Sequence, residues 1–177
     1  AAAPPALSAL YDALLEQAGR ELLYFPLYNY AGMNLDDVGK MLRHPLTLPG
    51  LSDGGAHVGT ICDASFPTFM LTHWTRDRDR DRLSVGEAVK MQTHDTAQYL
   101  GMRDRGVIAE GMKADVNVID YDNLRLLRPR LVHDLPAGGR RLLQDAEGYR
   151  ATLVSGRVIT ENGTLSGDRP GRLVRAS

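Results

Sequence analysis

The sequence has a single cysteine, no long apolar run and no excess of either charge, and each deficit excludes a class of protein. Cys62 alone cannot form an internal disulfide framework, so we expect a cytoplasmic protein. No stretch of about 20 apolar residues is present to span a bilayer, so we expect no membrane partner. With 21 Lys and Arg against 22 Asp and Glu, the overall charge does not favour binding to nucleic acid.

The amino-terminal residues also lack a targeting signal. Residues 1–5 contain neither an initiator methionine nor a basic region followed by an apolar stretch. We therefore interpret Ala1 as an internal start within a longer polypeptide. The composition of the chain, with 43% hydrophobic and 24% charged residues, is that of a globular protein.

The first 60 residues alternate helical and short extended patterns, which is typical of βα units around a parallel sheet. Residues 7–18 carry an apolar stripe with the period of a helix. A second helix is predicted over residues 35–43, with Asn34 as its N-cap. The apolar residues 22–25 and 46–51 are predicted as short strands, the first of them buried on both faces.

Residues 54–82 are predicted as a long connection between elements, a length that is typical of a lid or a binding loop. It ends in an alternating Arg/Asp run at residues 76–82, which we interpret as a solvated, self-paired surface segment. Ser84 and Glu87 have the spacing of a capping box, at the start of a helix that is expected to end at Gly101.

From about residue 105 the sequence changes to short β runs that are separated by turns. Hairpin turns are predicted at residues 155–156 and 162–163. Residues 121–150 are predicted to be a loop-dominated excursion. The predicted strands in this part are residues 107–108, 114–120, 152–154 and 157–160.

Asp53 is the strongest candidate for chemistry. It follows the second predicted strand directly and precedes Gly54 and Gly55, which allow the backbone to approach a ligand closely. In a βα barrel this position is the carboxyl-terminal mouth, where a carboxylate can act as general base and acid on a metal-bound water. The same residues also fit a tight turn in which Asp53 bonds local backbone N–H groups, and the pattern leaves both interpretations open.

Other polar residues near Asp53 are weaker candidates. His57 lies four residues further along the same loop, where it could bind substrate or a metal, or be structural. Tyr28 and Asn29 follow the first predicted strand and would face the same barrel mouth, as substrate-binding or packing residues. Cys62 and Asp63 are interpreted as a buried thiol and a turn-forming residue.

The remaining histidines, His44, His73, His94 and His133, have no paired spacing and are interpreted as structural. No His-x-His, His-Glu-x-x-His or Cys-x-x-Cys pattern occurs. The chain is therefore not expected to assemble a conventional zinc site by itself.

Four motifs occur in the chain, at residues 50–59, 83–89, 96–101 and 105–120. Their sequences and their order resemble the carboxyl-terminal part of the amidohydrolase superfamily, and in particular the N-acyl-D-amino-acid deacylases, or D-aminoacylases. The resemblance covers nearly the whole chain. The closing residues 170–174 and the string from Ser52 to His57 favour the deacylase branch.

This resemblance implies an α/β fold. Residues 1–104 would supply the last βα units of a (β/α)8 TIM-type barrel, and residues 105–177 part of a small β-sandwich. Asp53 would take a proton from a metal-activated water and deliver it to the leaving amine. The zinc ligands would lie mostly outside this chain, so no metal ligand is assigned within it.

The implied substrate is a small amide, most specifically an N-acyl-D-amino acid. Two alternatives stay open: hydrolysis of a cyclic amide, as in dihydroorotases and hydantoinases, or a structural fragment with no activity of its own. A truncated barrel would expose apolar surface. We therefore expect either a homo-oligomer or association with a missing amino-terminal part.

Overall fold

The computed structural model describes residues 5–26, 28–30, 32–50, 52–55, 57–60 and 62–175. The chain divides into two compact units, Ala1–His44 and Pro45–Ser177. Each unit is described by itself below.

Helices form the regular structure of the first unit. Helix α1 spans Ala6–Gly19 and confirms the helix predicted over residues 7–18, although Glu16, Gln17 and Ala18 leave the helical conformation. Helix α2 spans Asp36–Leu42 and confirms the second prediction. Asn34 lies two residues before α2 and accepts a hydrogen bond from the backbone N–H of Asp36 at 2.9 Å, while Leu35 occupies the N-cap position.

The two strands predicted in the first half of the chain are not formed. Neither residues 22–25 nor residues 46–50 pair with another described segment, and Leu51, the last residue of the second prediction, lies outside the described residues. Tyr24 is 88% exposed and Phe25 is 77% exposed, so the prediction of a buried strand is wrong here. The physical reason is that a parallel strand requires neighbouring strands to satisfy its backbone groups, and the described residues supply none beside these segments.

The predicted long connection after Asp53 is largely helical. A 3₁₀ turn at Asp63–Ser65 leads into helix α3, Phe66–Thr72, which continues as a π-helical turn over His73–Asp77. The prediction of a loop over residues 54–82 is therefore wrong for this part. Met70, Leu71 and Trp74 recur at helical spacing and are all buried, so burial of one apolar face explains the helix.

The capping box predicted at Ser84 is confirmed. Helix α4 spans Val85–Lys90, a π-helical segment follows at Met91–Asp95, and α5 spans Thr96–Tyr99, so the predicted helix ends just before Gly101. The Ser84 hydroxyl accepts from the N–H of Glu87 at 3.2 Å, and the Glu87 carboxylate accepts from the N–H of Ser84 at 2.7 Å.

Antiparallel strands make up the rest of the second unit. The longest sheet has the order β1-β6-β7-β8, while β2 pairs with β5 and β3 pairs with β4. The strands are β1 (Val116–Ile119), β2 (Arg125–Leu126), β3 (Arg130–Leu135), β4 (Gly139–Leu143), β5 (Ala146–Glu147), β6 (Tyr149–Val154), β7 (Arg157–Glu161) and β8 (Thr164–Leu165).

Both predicted hairpin turns are confirmed. Ser155 and Gly156 between β6 and β7 have positive φ, as do Asn162 and Gly163 between β7 and β8, which is the geometry of a tight hairpin. Residues 107–108 do not form the predicted strand. The predicted loop over residues 121–150 is also wrong, because strands β2 to β5 lie in it. Strands β3 and β4 form a hairpin, while β2 pairs with β5 across it in the sequence.

The Arg/Asp run is less solvated than predicted. Arg76 and Asp77 do pair with each other, at 2.7 Å. Arg78, however, is only 8% exposed and its guanidinium lies 4.8 Å from the centre of the Trp74 ring. The attraction between the Arg78 guanidinium and the face of the Trp74 ring stabilises the buried charge. The alternation of Arg and Asp in the sequence could not indicate this contact.

Helices and strands are thus both present, as predicted for an α/β chain, and every described strand pair is antiparallel. The barrel and sandwich assignments, with their boundary at residue 104, stay predictions. Within the described ranges, none of the helices combines the length and apolar character needed to cross a bilayer.

Candidate functional site

Asp53 lies in a left-handed turn whose hydrogen bond comes from its neighbour. The φ of Asp53 is 53°, a conformation that few residues other than glycine adopt readily. The Ser52 hydroxyl accepts from the N–H of Gly54 at 3.3 Å, and the Asp53 side chain is exposed, with no hydrogen bond to the part of the chain that the structure describes. Ser52 therefore shapes the turn, which leaves the Asp53 carboxylate accessible to a ligand.

The turn packs closely against the beginning of the helical segment that follows it. A Cβ placed on Gly54 would lie 2.9 Å from Cβ of Ala64, a distance that allows no side chain there. Glycine is required at this position because the backbone approaches the 3₁₀ turn directly. The contact holds the Asp53 turn beside the residues that lead into α3.

His57 occupies the same loop as Asp53, as predicted, and the loop is anchored to β4. His57 is exposed, with a φ of 45°, and its carbonyl accepts from the N–H of Thr60 at 2.7 Å. The carbonyl of Val58 accepts from the N–H of Leu142 at 2.7 Å. The β3–β4 hairpin thus contacts the loop through its backbone.

A cavity of about 370 Å³ lies between this loop, the start of α3 and the hairpin. Gly54, Gly55 and Val58 line the loop side, and residues 141–144 of β4 and its continuation line the opposite side. Leu126 and Ala146, which pair in the β2–β5 ladder, also line it. Asp53 itself is not among the lining residues that are described, but both residues that follow it are.

The polar side chains in the cavity wall already have partners. The Ser65 hydroxyl donates to Oε1 of Gln144 at 2.6 Å, and the Gln144 amide donates to the carbonyl of Leu127 at 2.9 Å. The Thr68 hydroxyl lies 2.7 Å from that of Tyr149. No sequence pattern indicated these residues, because Gln144 and Tyr149 are distant from α3 in sequence.

The one charged side chain described in the wall, Arg141, is neutralised by an acid. It donates from Nε and Nη2 to the two carboxylate oxygens of Asp134, at 2.7 and 2.6 Å. The hydrogen bonds from Arg141 hold the pKa of the Asp134 carboxyl below its usual value. The pair is therefore ionised at neutral pH, and it uses two of the five N–H groups of Arg141.

Cys62 is half-buried and lines the cavity, which agrees only partly with the predicted buried thiol. Burial, and to a smaller extent the charge of Asp63, raises the pKa of its thiol. Asp63 opens the 3₁₀ turn, in keeping with its predicted turn-forming role.

Tyr28 and Asn29, the other predicted substrate-binding residues, belong to the first compact unit. Tyr28 is 82% exposed, and Asn29 is exposed with a φ of 59°. Both side chains are open to solvent within their own unit. Their role in binding substrate stays a prediction.

The described residues do not by themselves fit a metal centre. In those ranges, no group of three or more His, Cys, Asp and Glu side chains is arranged to hold an ion. Zinc coordination normally needs at least three protein ligands. That the zinc ligands lie mostly outside this chain stays a prediction.

A comparison with models of known protein families shows the family to which the chain belongs. The model of the amidohydrolase family matches residues 13–160. The chain belongs to the amidohydrolase family. The matched part of this amidohydrolase includes the Asp53 loop, the cavity and all the predicted site residues, and the resemblance described from the motifs is confirmed.

The curated relatives of this amidohydrolase have names that refer to different substrates. The chain is 28% identical to an N-acyl-D-aspartate deacylase of Alcaligenes xylosoxydans xylosoxydans over 82% of its own length and 27% of the relative. It is 38% identical to an adenine deaminase of Desulfatibacillum aliphaticivorans, over 37% of the chain and 11% of the relative. It is 31% identical to an alpha-D-ribose 1-methylphosphonate 5-triphosphate diphosphatase of Escherichia coli (strain K12), over 38% of the chain and 22% of the relative.

The chain thus spans about a quarter of the length of the deacylase that it matches, 27%. No solved structure matches the chain.

Proposed function

We propose that this chain contributes Asp53 and its loop to a hydrolase that removes the acyl group from N-acyl-D-amino acids. The observation that carries the proposal is the Asp53 turn: Ser52 supplies the turn's hydrogen bond, so the exposed carboxylate of Asp53 is available for proton transfer. The similarity to an N-acyl-D-aspartate deacylase over most of the chain supports this substrate class.

In this proposal Asp53 acts first as a base and then as an acid. Its carboxylate accepts a proton from the water that attacks the amide carbonyl carbon. It then delivers that proton to the amide nitrogen as the C–N bond breaks, which releases the carboxylic acid and the free amino acid. Proton transfer by a positioned side chain typically contributes a factor of about 10² to 10⁴ to the rate.

The family is typically metal-dependent, and we propose that zinc is the metal and that its ligands lie mostly outside this chain. We further propose that residues 1–104 belong to a barrel and residues 105–177 to a β-sandwich. Tyr28, Asn29 and His57 are proposed to bind substrate. A cytoplasmic location is proposed from the single cysteine.

The test is Asp53→Asn in the enzyme that carries this sequence, assayed with N-acetyl-D-amino acids and their L-enantiomers. We expect the variant to lose at least about a hundredfold in kcat, because asparagine cannot accept the proton. Asp63→Asn is the matched control, since Asp63 lies ten residues further along the chain and opens a 3₁₀ turn.

The control should keep most of the activity, and the melting temperatures of both variants should stay within a few degrees of the unmodified protein. Retained activity in a folded Asp53→Asn variant would remove Asp53 from the mechanism. Activity confined to L-substrates would remove the D-amino-acid assignment.

A further inference from the structure

The Asp53 turn rests on the 3₁₀ turn that leads into α3. Asp53 and Gly55 both have positive φ, at 53° and 98°, so the chain folds back tightly there. A Cβ added at Gly54 would lie 2.9 Å from Cβ of Ala64 and 3.4 Å from its Cα, so the two segments are in direct contact. The position of the Asp53 carboxylate therefore depends on the position of this 3₁₀ turn.

A hydrogen bond from a distant part of the chain holds the 3₁₀ turn. The turn spans only Asp63–Ser65, and within the described structure no side chain caps its start. Short 3₁₀ turns have poor internal hydrogen-bond geometry. The Ser65 hydroxyl, however, donates to Oε1 of Gln144 at 2.6 Å, and both residues are half-buried. This bond joins residues 79 positions apart, so it attaches the turn to the β part of the second unit.

Gln144 is itself held by both ends of its amide. Its Nε2 donates to the carbonyl of Leu127 at 2.9 Å, and this bond orients the amide so that Oε1 faces Ser65. Gln144 directly follows β4, in which the N–H of Leu142 donates to the carbonyl of Val58 at 2.7 Å. Strand β4 and the residue after it therefore hold the loop at two points.

We propose that Ser65 and Gln144 are positioning residues for Asp53. Their hydrogen bond holds the 3₁₀ turn, the 3₁₀ turn supports Gly54, and the place of the Asp53 carboxylate beside the reacting atoms is thereby fixed. The inference rests on the proposed function and deepens it, because it names two residues on which the rate depends without contact with substrate. A misplacement of about 1 Å can lower a rate on the order of a hundredfold.

The test compares Ser65→Ala and Gln144→Met in the enzyme that carries this sequence, with the N-acetyl-D-amino acid that is hydrolysed fastest as substrate. Methionine has the length of glutamine but cannot accept the hydrogen bond from Ser65. Each substitution should lower kcat about tenfold and leave KM within about twofold, because both residues act through Asp53. Ser65→Thr, which keeps the hydroxyl, should retain most of the activity. In the Gln144→Met background, Ser65→Ala should have no further effect.

Thr152→Val is the matched control. The Thr152 hydroxyl donates to the amide oxygen of Asn117 at 2.9 Å, so the same kind of bond is removed between β6 and β1. Neither residue is among the described lining residues of the cavity, and the variant should keep the kcat of the unmodified enzyme. Equal kcat values for Ser65→Ala and Thr152→Val, or a rise of KM alone in Ser65→Ala, would overturn the inference.

Hydrogen exchange followed by mass spectrometry supplies a measurement without turnover. In Ser65→Ala the backbone amides of residues 52–60 should exchange about fivefold faster, a factor that corresponds to one lost hydrogen bond of ordinary strength. Thr152→Val should leave this exchange unchanged. Unchanged exchange in Ser65→Ala would overturn the inference even if Asp53→Asn abolished turnover. Activity retained by Asp53→Asn would instead remove the proposed function, and faster exchange would then still show that the bond holds the turn.

Discussion

The guanidinium of Arg76 donates a hydrogen bond to the carbonyl oxygen of Leu124 at 2.7 Å. The same group donates to the carbonyl of Tyr121 at 2.6 Å, and the Thr75 hydroxyl lies 2.5 Å from that of Tyr121. These contacts join the π-helical turn after α3 to the turn between β1 and β2. Arg76 is therefore one of the residues that connect the helical and β parts of the second unit.

Replacement of Arg76 by glutamine should lower the free energy of unfolding by about 2 kcal/mol, because the carbonyl groups of Tyr121, Asp122 and Leu124 lose a charged donor. Chemical denaturation followed by circular dichroism measures the change. Arg103→Gln is the control, since Arg103 is exposed and should change stability by less than about 0.5 kcal/mol. Equal effects of the two substitutions would show that the Arg76 contacts contribute nothing specific.

Gly148 is expected to tolerate no side chain. Its φ is +100°, and an added Cβ would lie 2.6 Å from Cα of Leu124, which is fully buried. Gly148→Ala should therefore cost more than about 1 kcal/mol of stability, because both the backbone conformation and the contact become strained.

Gly86→Ala provides the comparison, because Gly86 lies in helix α4 and has open space around it. This substitution should be neutral or stabilising by up to about 1 kcal/mol, as alanine favours the helix. Thermal denaturation of the two variants measures both effects. A Gly148→Ala variant as stable as Gly86→Ala would contradict the close packing at Leu124.

Stability should fall as the pH is lowered through the range in which His73 titrates. Burial, and then the charge of Arg78, lowers the pKa of His73, and its Nε2 is buried without a hydrogen-bond partner in the described structure. The unfolded chain therefore takes up a proton first, starting near the ordinary pKa of 6.5. Stability is complete above that pH, is lost as the pH falls towards the folded-state pKa, and levels out below it.

The variant His73→Phe should remove this loss, because phenylalanine does not titrate and can keep the stacking on Phe69, whose ring centre lies 4.7 Å away. Urea denaturation between pH 7.5 and 5 measures the dependence. His133→Gln, at an exposed position in β3, should retain the loss of stability at low pH. The carboxyl groups of Asp95 and Asp120 have pKa values below their ordinary value of 3.8. They therefore change the stability only at a pH below the range of the urea experiment. A pH profile of His73→Phe that matches the unmodified protein would exclude His73 as the cause.

Elements with strong local signals could be predicted from the sequence. The Ser84 capping box and the turns at residues 155–156 and 162–163 depend on side chains and φ angles within a few residues, so their chemistry is visible in the chain itself. The family was also evident from motifs that include Asp53, and the match over residues 13–160 confirms it.

The candidate site was predictable only in part. Asp53 and His57 could be placed in one loop because they are four residues apart, but the sequence could not reveal that Ser52, and not Asp53, supplies the hydrogen bond of the turn. The role of Asp53 as acid and base stays a prediction, as do the substrate-binding roles of Tyr28 and Asn29.

The features that the sequence alone could not decide depend on contacts between distant residues. Ser65 bonds to Gln144, 79 residues away, and Arg76 bonds to Leu124, 48 residues away. The sequence also did not show that the predicted loop contains α3, that part of the Arg/Asp run is buried, or that a cavity lies beside the Asp53 turn. Local patterns determine which turns and helices can form, but burial is decided by the partner that tertiary folding places opposite each side chain.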